Sequence, residues 1–269
     1  MRFKQVDVFT KVPFLGNPVA VVIGGEKLDT AAMQRIACWT NLSETTFLLP
    51  SDKADYRLRI FTPRAELPFA GHPTVGSAHA ALESGFVKKK SLLKQECGAG
   101  IIDLRLEDDR IFLKGPPAIA EPLPNVSASA FGIPLKPGSA LVRVSVGPVW
   151  LTGEMADARA LAALKPDMSA LAEWTNSLKA TGVTVFAKSD DADAALEVRS
   201  FAPAHGIAED PVCGSGNLAV AAVLKAAKPY VARQGGALGR DGRVYIKPEE
   251  GAIWLGGHCV TCVDGTLAA

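Results

Sequence analysis

A long-range repeat constrains the fold of this chain of 269 residues more than any other feature. The motif Phe-x-Pro at Phe61 recurs at Phe201, 140 residues later, and the motif Pro-x-x-Gly-Ser at Pro73 recurs at Pro211, 138 residues later. Two landmarks with nearly the same spacing predict a duplicated architecture, with a length difference of two residues between the copies. The chain is therefore expected to form two similar lobes, each of an ordinary domain size.

In each copy, a stiff turn precedes an apolar helix. Proline fixes its own φ and restricts the residue before it. The alanine-rich runs 75–82 and 218–227 are predicted to be buried helices. A helix N-terminus presents backbone N–H groups and a positive dipole end, which suits a carboxylate or a phosphate. The Gly-Ser pairs at these helix starts are therefore predicted to bind an acidic ligand: Gly76, Ser77, Gly214 and Ser215. The alternative is an ordinary capped helix beside a core.

Strand-like segments surround each predicted helix, so each lobe is expected to be a mixed sheet around one apolar helix. The Pro-dense residues 116–124 are predicted to link an N-terminal lobe, residues 1–115, to a C-terminal lobe, residues 125–257. A hairpin is expected around Asp108 and Asp109, and Asp29 is expected to cap a helix over residues 30–38. The two central helices are expected to point their N-termini into a shared cleft.

Composition narrows the class of protein. Lys and Arg number 29 against 28 Asp and Glu, so no nucleic-acid footprint is indicated. The apolar runs are too short to span a bilayer, and the N-terminus lacks a signal core, so no membrane role and a cytoplasmic location are expected. Five cysteines argue against a disulfide framework. Cys259 and Cys262, with His258, resemble half of a zinc site, but no second pair exists, so a strand and no metal are predicted.

Three ionisable residues are candidates for chemistry. Glu44 lies among Ser and Thr beside an apolar strand, and burial away from cations would raise its pKa and suit it to acid/base work near neutral pH. His72 lies between Gly and Pro in the first turn and is a potential general acid or base. Asp210 lies at the entry of the second turn, at the place that matches His72 in the repeat. Each also has a purely structural reading: a paired acid, a packed histidine or a capping aspartate.

Cys213 is a further candidate because a thiol at a helix N-terminus has a lowered pKa and greater reactivity. Its counterpart in the first copy is expected to be Val75. A racemase that removes a proton with one thiolate and returns it with another needs cysteine in both copies. The sequence therefore favours a non-catalytic Cys213.

The motifs together resemble the PhzF (phenazine biosynthesis-like) family, over nearly the whole chain and in order. The resemblance is carried by Gly16-Asn17-Pro18-Val19-Ala20-Val21, Asn41-Leu42-Ser43-Glu44-Thr45, Phe61-Thr62-Pro63, Glu66-Leu67-Pro68-Phe69-Ala70-Gly71-His72-Pro73-Thr74 and Glu209-Asp210-Pro211-Val212-Cys213-Gly214-Ser215. It implies a diaminopimelate epimerase-like α/β fold. In that fold, two pseudo-symmetric lobes each wrap a mostly antiparallel, barrel-like sheet around a central helix, and residues 258–269 return to the first lobe. It also implies a cofactor-free, metal-free homodimer.

The same resemblance implies the site. Glu44 shuttles a proton, His72 and Asp210 orient the substrate, and Gly71, Gly214 and Ser215 present N–H groups to its carboxylate. The expected function is a cofactor-independent isomerase that moves a proton on a small carboxylate-bearing metabolite, cyclic or amino acid-like. The segment Cys213-Gly-Ser-Gly-Asn217 departs from the family's usual Thr-Gly-Ser-Ala, which leaves the substrate open. The alternatives are an amino-acid epimerase of the same fold that uses Cys213, a non-catalytic protein that binds a metabolite or a partner, and a helper in an unrelated pathway.

Overall fold

A computed structural model describes residues 1–268 and divides into two compact units. The first unit is Met1–Lys114 together with the C-terminal residues from Gly256 onward, and the second unit is Gly115–Leu255. None of the helices within the described residues has the length and the apolar composition needed to cross a bilayer.

The first unit is built from strands around two helices. Its elements, in chain order, are β1 (Arg2–Val8), β2 (Asn17–Ile23), α1 (Thr30–Thr40), β3 (Thr45–Leu49), β4 (Tyr56–Phe61), β5 (Glu66–Leu67), α2 (Gly71–Glu83), β6 (Leu92–Cys97), β7 (Gly100–Glu107) and β8 (Arg110–Lys114). The C-terminal strand β18 (Cys259–Thr266) pairs antiparallel with β1 and so belongs to this unit.

The second unit repeats the plan with one extra helix. The remaining elements of the chain are β9 (Ile119–Leu123), β10 (Leu141–Ser145), β11 (Val149–Glu154), α3 (Ala158–Ala162), α4 (Met168–Ser177), β12 (Gly182–Lys188), β13 (Leu196–Ala202), β14 (Ile207–Asp210), α5 (Gly214–Val223), β15 (Tyr230–Gln234), β16 (Gly242–Glu249), β17 (Ala252–Gly257) and β18 (Cys259–Thr266).

Five strand pairings of the first unit each have a counterpart in the second unit. In the first unit β2 pairs parallel with β3, and β4 pairs parallel with β6. In the second unit β11 pairs parallel with β12, and β13 pairs parallel with β15. The other matching pairs are antiparallel: β1 with β2 and β10 with β11, β3 with β4 and β12 with β13, β6 with β7 and β15 with β16. The duplication predicted from the repeat is confirmed, as is the mostly antiparallel sheet that the family resemblance implies.

Each sheet packs around one central helix made of small residues. Helix α2 contacts β1, β2, β3, β8 and β18 within the first unit, and helix α5 contacts β9, β10, β11, β12 and β16 within the second. Gly76 allows the close approach in the first unit, because a Cβ there would lie 2.5 Å from Val19 Cγ1. Gly216 has the same role in the second unit, where a Cβ would lie 2.5 Å from Ser200 Oγ.

Strand register shows that the predicted alignment of the two turns is wrong. Thr45 pairs with Phe61 and Val183 with Phe201, so the phenylalanines correspond at a spacing of 140 residues. The central helices, however, begin at 71 and 214, a spacing of 143 residues. The second copy therefore has three extra residues between these landmarks, where the short 3-10 helix Pro203–His205 lies. The match of Pro-x-x-Gly-Ser at 138 residues does not reflect equivalent positions.

Two consequences follow for the residues singled out above. Glu66 pairs with Phe61 and Asp210 pairs with Ser200, so Asp210 corresponds to Leu67 and not to His72. Cys213 caps α5 as Ala70 caps α2, so the counterpart of Cys213 is Ala70 and not Val75.

Both central helices also begin earlier than predicted. The apolar runs indicated starts at 75 and 218, and the structure has starts at 71 and 214. Glycine and proline are poor helix formers in a helix interior, which is why pattern reading excluded them. Proline is tolerated in a first turn because the N–H that it lacks has no acceptor there.

Other local predictions have mixed outcomes. Asp29 caps α1, with its carboxylate accepting a hydrogen bond from the Ala32 N–H at 2.7 Å, as predicted. The hairpin between β7 and β8 and the C-terminal strand at Cys259 are also confirmed. The segment 116–124 is not a linker outside the lobes, because it contains β9, which pairs antiparallel with β10. Its prolines are tolerated because β9 is a short and exposed strand.

Candidate active site

Three elements of the first unit bring one acid, one imidazole and one amide together. Asn17 is the first residue of β2, and Glu44 immediately precedes β3, its parallel neighbour. Because parallel strands start at the same edge of a sheet, the two side chains emerge at one place. The Ala20 N–H donates to the Glu44 carbonyl oxygen at 3.3 Å, which fixes this edge. His72 joins them from the first turn of α2, which packs on β2 and β3.

The Glu44 carboxyl group is buried without a full counter-charge. Only 9% of the residue is exposed, and Oε2 accepts no well-aligned hydrogen bond from the described residues. Burial raises the pKa of Glu44 from 4.5 to about 7, against a smaller lowering by a hydrogen bond from Ser43. Desolvation penalises the charged carboxylate and so favours the protonated acid. A carboxyl group with this pKa exchanges a proton readily at neutral pH.

The His72 ring lies between Glu44 and Asn17 and is 7% exposed. Its Nε2 atom lies 3.4 Å from Glu44 Oε2. Its Nδ1 atom lies 3.4 Å from Asn17 Nδ2, and Asn17 itself is 1% exposed. Both distances are at the long end of the hydrogen-bond range, as is common for catalytic contacts before substrate binds.

A buried polar network supports the first turn of α2. The Gln95 Nε2 amide on β6 donates to Thr74 Oγ1 at 3.1 Å, and the Tyr56 hydroxyl donates to Gln95 Oε1 at 3.0 Å. All three side chains are fully buried, and burial raises the pKa of Tyr56 far above its usual value. Buried and satisfied networks of this kind hold a backbone in one position. The first N–H groups of α2, including that of Gly71, point away from the helix and have no acceptor within it.

The predicted residues of the second unit form a separate set around the start of α5. Asp210 is half-buried, and its Oδ1 accepts a hydrogen bond from the Val212 N–H at 3.1 Å. The Asp210 carbonyl oxygen accepts from Gln234 Nε2 at 3.0 Å, and Gln234 Oε1 accepts from Asn217 Nδ2 at 2.9 Å. These amides hold the turn as the Gln95 network holds the first one.

Cys213 is the N-cap of α5, and its thiol is not activated. Its sulfur accepts a hydrogen bond from the Gly216 N–H at 3.3 Å and lies 3.6 Å from Ser215 Oγ. The lowered pKa expected for a thiol at a helix start is wrong here, because burial, assisted by the Asp210 charge, raises the pKa of Cys213 well above its usual value. Ser215 Oγ accepts a hydrogen bond from Trp150 Nε1 at 3.0 Å.

Gly76 and Ser77 lie in the second turn of α2, where backbone N–H groups bond to the preceding turn. Gly76 packs against β2, and Ser77 Oγ lies 2.8 Å from Thr46 Oγ1 in the core. Their predicted contact with a ligand stays a prediction, and the structure gives them packing roles. Gly71, Gly214 and Ser215 lie in first turns, where N–H groups have no intrahelical acceptor.

Sequence reasoning did not single out Asn17 as a functional residue. Its signal in the sequence is the Gly16-Asn17-Pro18 motif, which belongs to the family resemblance. Gly16 has a packing reason, since a Cβ there would lie 2.5 Å from the Val8 carbonyl oxygen. Asn17 is a buried amide at the start of a strand, and buried amides form hydrogen bonds with polar partners.

The second unit also contains an open cavity of about 610 Å³. Arg159, Arg199, Arg233, Asp191 and Glu197 are among its lining residues. None of the predicted site residues lines it, and several of its charges pair with one another. Within the described residues, no group of three or more His, Cys, Asp or Glu is arranged to hold a metal ion.

Solved structures define the class of fold. A PhzF-family phenazine biosynthesis protein from Bacillus anthracis superposes with a TM-score of 0.90 at 25% identity, covering 100% of this chain and 99% of that one. A hydroxyproline epimerase from Agrobacterium vitis superposes with a TM-score of 0.66 at 17% identity, covering 98% of this chain and 91% of that one. The second likeness concerns the fold alone. The protein therefore has the predicted diaminopimelate epimerase-like α/β fold.

Sequence comparison then gives the family. Residues 6–265 match the profile of the phenazine biosynthesis-like proteins (PhzC-PhzF), and the chain belongs to this family. It is 38% identical to "Antisense-enhancing sequence 1" of Schizosaccharomyces pombe, over 98% of this chain and 97% of that protein. It is 34% identical to trans-2,3-dihydro-3-hydroxyanthranilate isomerase of Pseudomonas aeruginosa, over 92% of this chain and 90% of that protein. The relatives that are named by activity are isomerases, which supports an isomerase here.

Proposed function

We propose that this protein is a cofactor-independent isomerase that moves a proton within a small carboxylate-bearing metabolite, cyclic or amino acid-like. Glu44 is the acid/base group in this proposal. The observation that carries it is the buried Glu44 carboxyl group, with a pKa of about 7, held 3.4 Å from His72. An isomerase that works by acid/base catalysis must accept a proton and then donate one, and this is easiest when the pKa of the base lies near the working pH.

The reaction follows from this geometry in two steps. The Glu44 carboxylate removes a proton from a carbon next to an unsaturated acid, so a C–H bond breaks and an O–H bond forms on Glu44. The electrons move into the conjugated system, and the acid then returns the proton to a different carbon. Such general acid/base help accounts for roughly 10²- to 10⁴-fold in rate. The remaining acceleration has to come from substrate orientation and electrostatic stabilisation in a site shielded from water.

The roles of the other site residues remain predictions. His72 and Asp210 are proposed to orient polar groups of the substrate, and the first-turn N–H groups of Gly71, Gly214 and Ser215 to bind its carboxylate. The unsatisfied first-turn donors and the positive ends of the helix dipoles support anion binding. A homodimer is likewise proposed from the family resemblance, and a cytoplasmic location from the short apolar runs of the sequence.

The first substrate to test is the one named for the relative in Pseudomonas aeruginosa, trans-2,3-dihydro-3-hydroxyanthranilate. Incubation in D₂O with this compound and with other small cyclic and amino acids, followed by NMR, detects both the isomerised product and any deuterium taken up from solvent. A protein that only binds a metabolite gives neither product nor exchange with any of them, and that result would refute the proposal.

Replacing Glu44 by Gln keeps the shape of the side chain and removes the base. We expect turnover of an identified substrate to fall by at least about 10²-fold. Glu26→Gln is the matched control, because Glu26 is an exposed residue of the same unit and its substitution makes the same chemical change. Wild-type turnover in Glu44→Gln, with folding intact by circular dichroism, would contradict the role of Glu44.

The environment of Cys213 argues against the thiol-dependent epimerase. A two-thiol mechanism needs a thiolate, and the Cys213 pKa is raised well above its usual value while its counterpart is Ala70. We expect Cys213→Ser to keep activity within about tenfold, since the serine hydroxyl can still accept the Gly216 N–H as an N-cap. A loss as large as that of Glu44→Gln would favour the thiol mechanism instead.

A further inference from the structure

We propose that Asn17 is a positioning residue that holds the His72 ring, when it is neutral, in the tautomer protonated at Nε2, so that the Nε2–H faces Glu44 and His72 cannot compete with Glu44 as a base. This inference deepens the proposed function, because it rests on Glu44 as the proton carrier. It concerns a residue to which the proposal above gives no role.

The fold places Asn17 with little freedom. It is paired with Val8 across the β1–β2 hairpin, and the preceding Gly16 N–H donates to the buried Asp7 carboxylate at 3.3 Å. A Cβ at Gly16 would lie 2.5 Å from the Val8 carbonyl oxygen, so the backbone passes close to β1 at this point. The Asn17 side chain leaves this fixed backbone fully buried and reaches the His72 ring.

The chemistry of the contact determines the position of the ring proton. An amide nitrogen carries hydrogens and has no lone pair to accept with. Asn17 Nδ2, at 3.4 Å from His72 Nδ1, therefore acts as the donor and Nδ1 as the acceptor. A neutral imidazole carries one N–H. If Nδ1 is the acceptor, that N–H lies on Nε2, the atom that is 3.4 Å from Glu44 Oε2.

This arrangement separates the duties of the two side chains. The Nε2–H of His72 faces Glu44 Oε2 at 3.4 Å, and a small approach of the two side chains would let it donate a hydrogen bond to the carboxylate form of Glu44 or to a developing negative charge on the substrate. The one lone pair of the neutral ring lies on Nδ1 and is engaged by Asn17. Glu44 therefore keeps the proton that it removes from the substrate and returns it, and the proton does not pass to His72.

The second unit shows that the fold itself does not require this contact. In the parallel pairs, Ala20 of the first unit occupies the same position as Leu151 of the second. Asn17 lies three residues before Ala20, and Pro148 lies three residues before Leu151. Asn17 therefore corresponds to Pro148. His72 corresponds to Ser215 from the shared helix starts. The same scaffold forms in the second unit without an amide or an imidazole at these places. A chemical reason for the pair in the first unit is therefore more economical than a structural one.

The tautomer can be read directly by ¹⁵N NMR of the uniformly labelled protein, because protonated and unprotonated ring nitrogens have well-separated shifts. The chain has four histidines, so the His72 signals can be assigned by a His72→Gln variant. We expect the neutral His72 ring to carry its proton on Nε2 in the wild-type protein without any ligand. A proton on Nδ1 would overturn the inference, whatever the enzyme's activity.

Asn17→Asp is the informative variant, since a carboxylate only accepts hydrogen bonds and would draw the proton to Nδ1. We expect the tautomer to switch and kcat to fall by at least about 10²-fold with KM little changed, because a misplaced ring proton disables a catalytic histidine without moving it. Asn176→Asp, an equal charge change at an exposed position on α4, should alter neither quantity. An unchanged tautomer in folded Asn17→Asp would overturn the inference.

The two proposals fail in distinguishable ways. If Glu44→Gln keeps full turnover while wild-type His72 is protonated at Nε2, the proposed function is wrong and the assignment of the tautomer stands. If Glu44→Gln is inactive and His72 is protonated at Nδ1, the isomerase proposal stands and the role of Asn17 is wrong.

Discussion

In the first unit Glu44 precedes β3, and at the equivalent place in the second unit stands Gly182. The equivalence follows from register, because Thr45 pairs with Phe61 as Val183 pairs with Phe201. A Cβ at Gly182 would overlap the carbonyl oxygen of Phe201, so the backbone there passes too close to β13 for any side chain. The second unit could not carry an acid at this position without moving its strands.

At two positions near Glu44, the polar side chains of the first unit are also replaced in the second unit. Where the first unit has Asn17 and His72, the second has Pro148 and Ser215. Ser215 forms a hydrogen bond with Trp150 within the second unit, while His72 lies against Glu44. The comparison shows that duplication preserved the strand pairings and the central helix, and that the buried acid and the imidazole beside it are present in one copy and absent at the equivalent places of the other.

Each unit also has an ion pair at equivalent positions, and here the pair in the second unit is the more buried one. Arg59 pairs with Glu66 at 2.7 Å, and Arg199 pairs with Glu209 at 2.8 Å. Each arginine also lies over a phenylalanine ring two residues on in sequence. The side chains of the second pair are 10% and 8% exposed, against 17% and 38% for the first. Arg199 in addition donates to the Leu161 and Leu164 carbonyl oxygens, which anchors α3 to the sheet.

The largest effect on stability is expected when the acid of the more buried ion pair is replaced. Glu209→Gln leaves the Arg199 charge buried without its counter-charge, which costs about 3–5 kcal/mol of unfolding free energy. Glu66→Gln removes an equivalent partner near solvent and should cost no more than about 1 kcal/mol. Urea unfolding of both variants under one set of conditions makes the comparison. Equal costs would show that the burial difference has no energetic consequence.

The second effect tests the cost of burying the ionised carboxylate of Glu44. Its folded-state pKa of about 7 exceeds the ordinary 4.5, so the native state binds the proton more tightly than the unfolded chain does. The associated stability is fully present below about pH 4.5 and is lost as the pH rises through about 7. Above that pH, ionised Glu44 costs about 3 kcal/mol.

Glu44→Gln, a neutral side chain of the same shape, should therefore be more stable than wild type at about pH 8 and approach it at about pH 4.5. Unfolding free energies measured at both pH values check the sign. Glu26→Gln serves again as the exposed control and should show no such dependence. An unchanged difference between the two pH values would mean that Glu44 titrates normally in the folded protein.

The smallest expected effect concerns the glycine that replaces the acid. Gly182→Ala forces a Cβ against the Phe201 carbonyl oxygen and should cost about 1–3 kcal/mol as β12 and β13 separate. Gly236→Ala is the control, because a Cβ there meets nothing within 4 Å, and its effect should be no more than about 0.5 kcal/mol. Thermal unfolding of both variants distinguishes them. A tolerated Gly182→Ala would show that the second copy can accept a side chain at this edge.

Much of the fold was predictable from local patterns. The cap at Asp29, the hairpin between β7 and β8 and the apolar central helices follow from short-range rules, and the structure confirms them. Glu44 was identified by its polar neighbours and its place before a strand. Its raised pKa agrees with the expectation for a buried acid.

The alignment of the two copies was not predictable, because three extra residues precede α5 and a chance Pro-x-x-Gly-Ser match concealed them. The state of Cys213 was missed for a related reason. A helix N-terminus lowers the pKa of a thiol, but full burial raises it more, and burial depends on residues distant in sequence. The contact of Asn17 with His72 joins residues 55 positions apart and left no local signal.

The sequence by itself determined that the chain holds two copies of one α/β plan, and it identified the acid and the turns that precede the two central helices. Hydrophobic periodicity and turn residues act over a few positions, so they can be read without a structure. Tertiary structure decided which positions are equivalent, which groups lose water and which nitrogen of His72 faces Glu44. These properties depend on strand register and on burial, and both arise only when distant segments pack together.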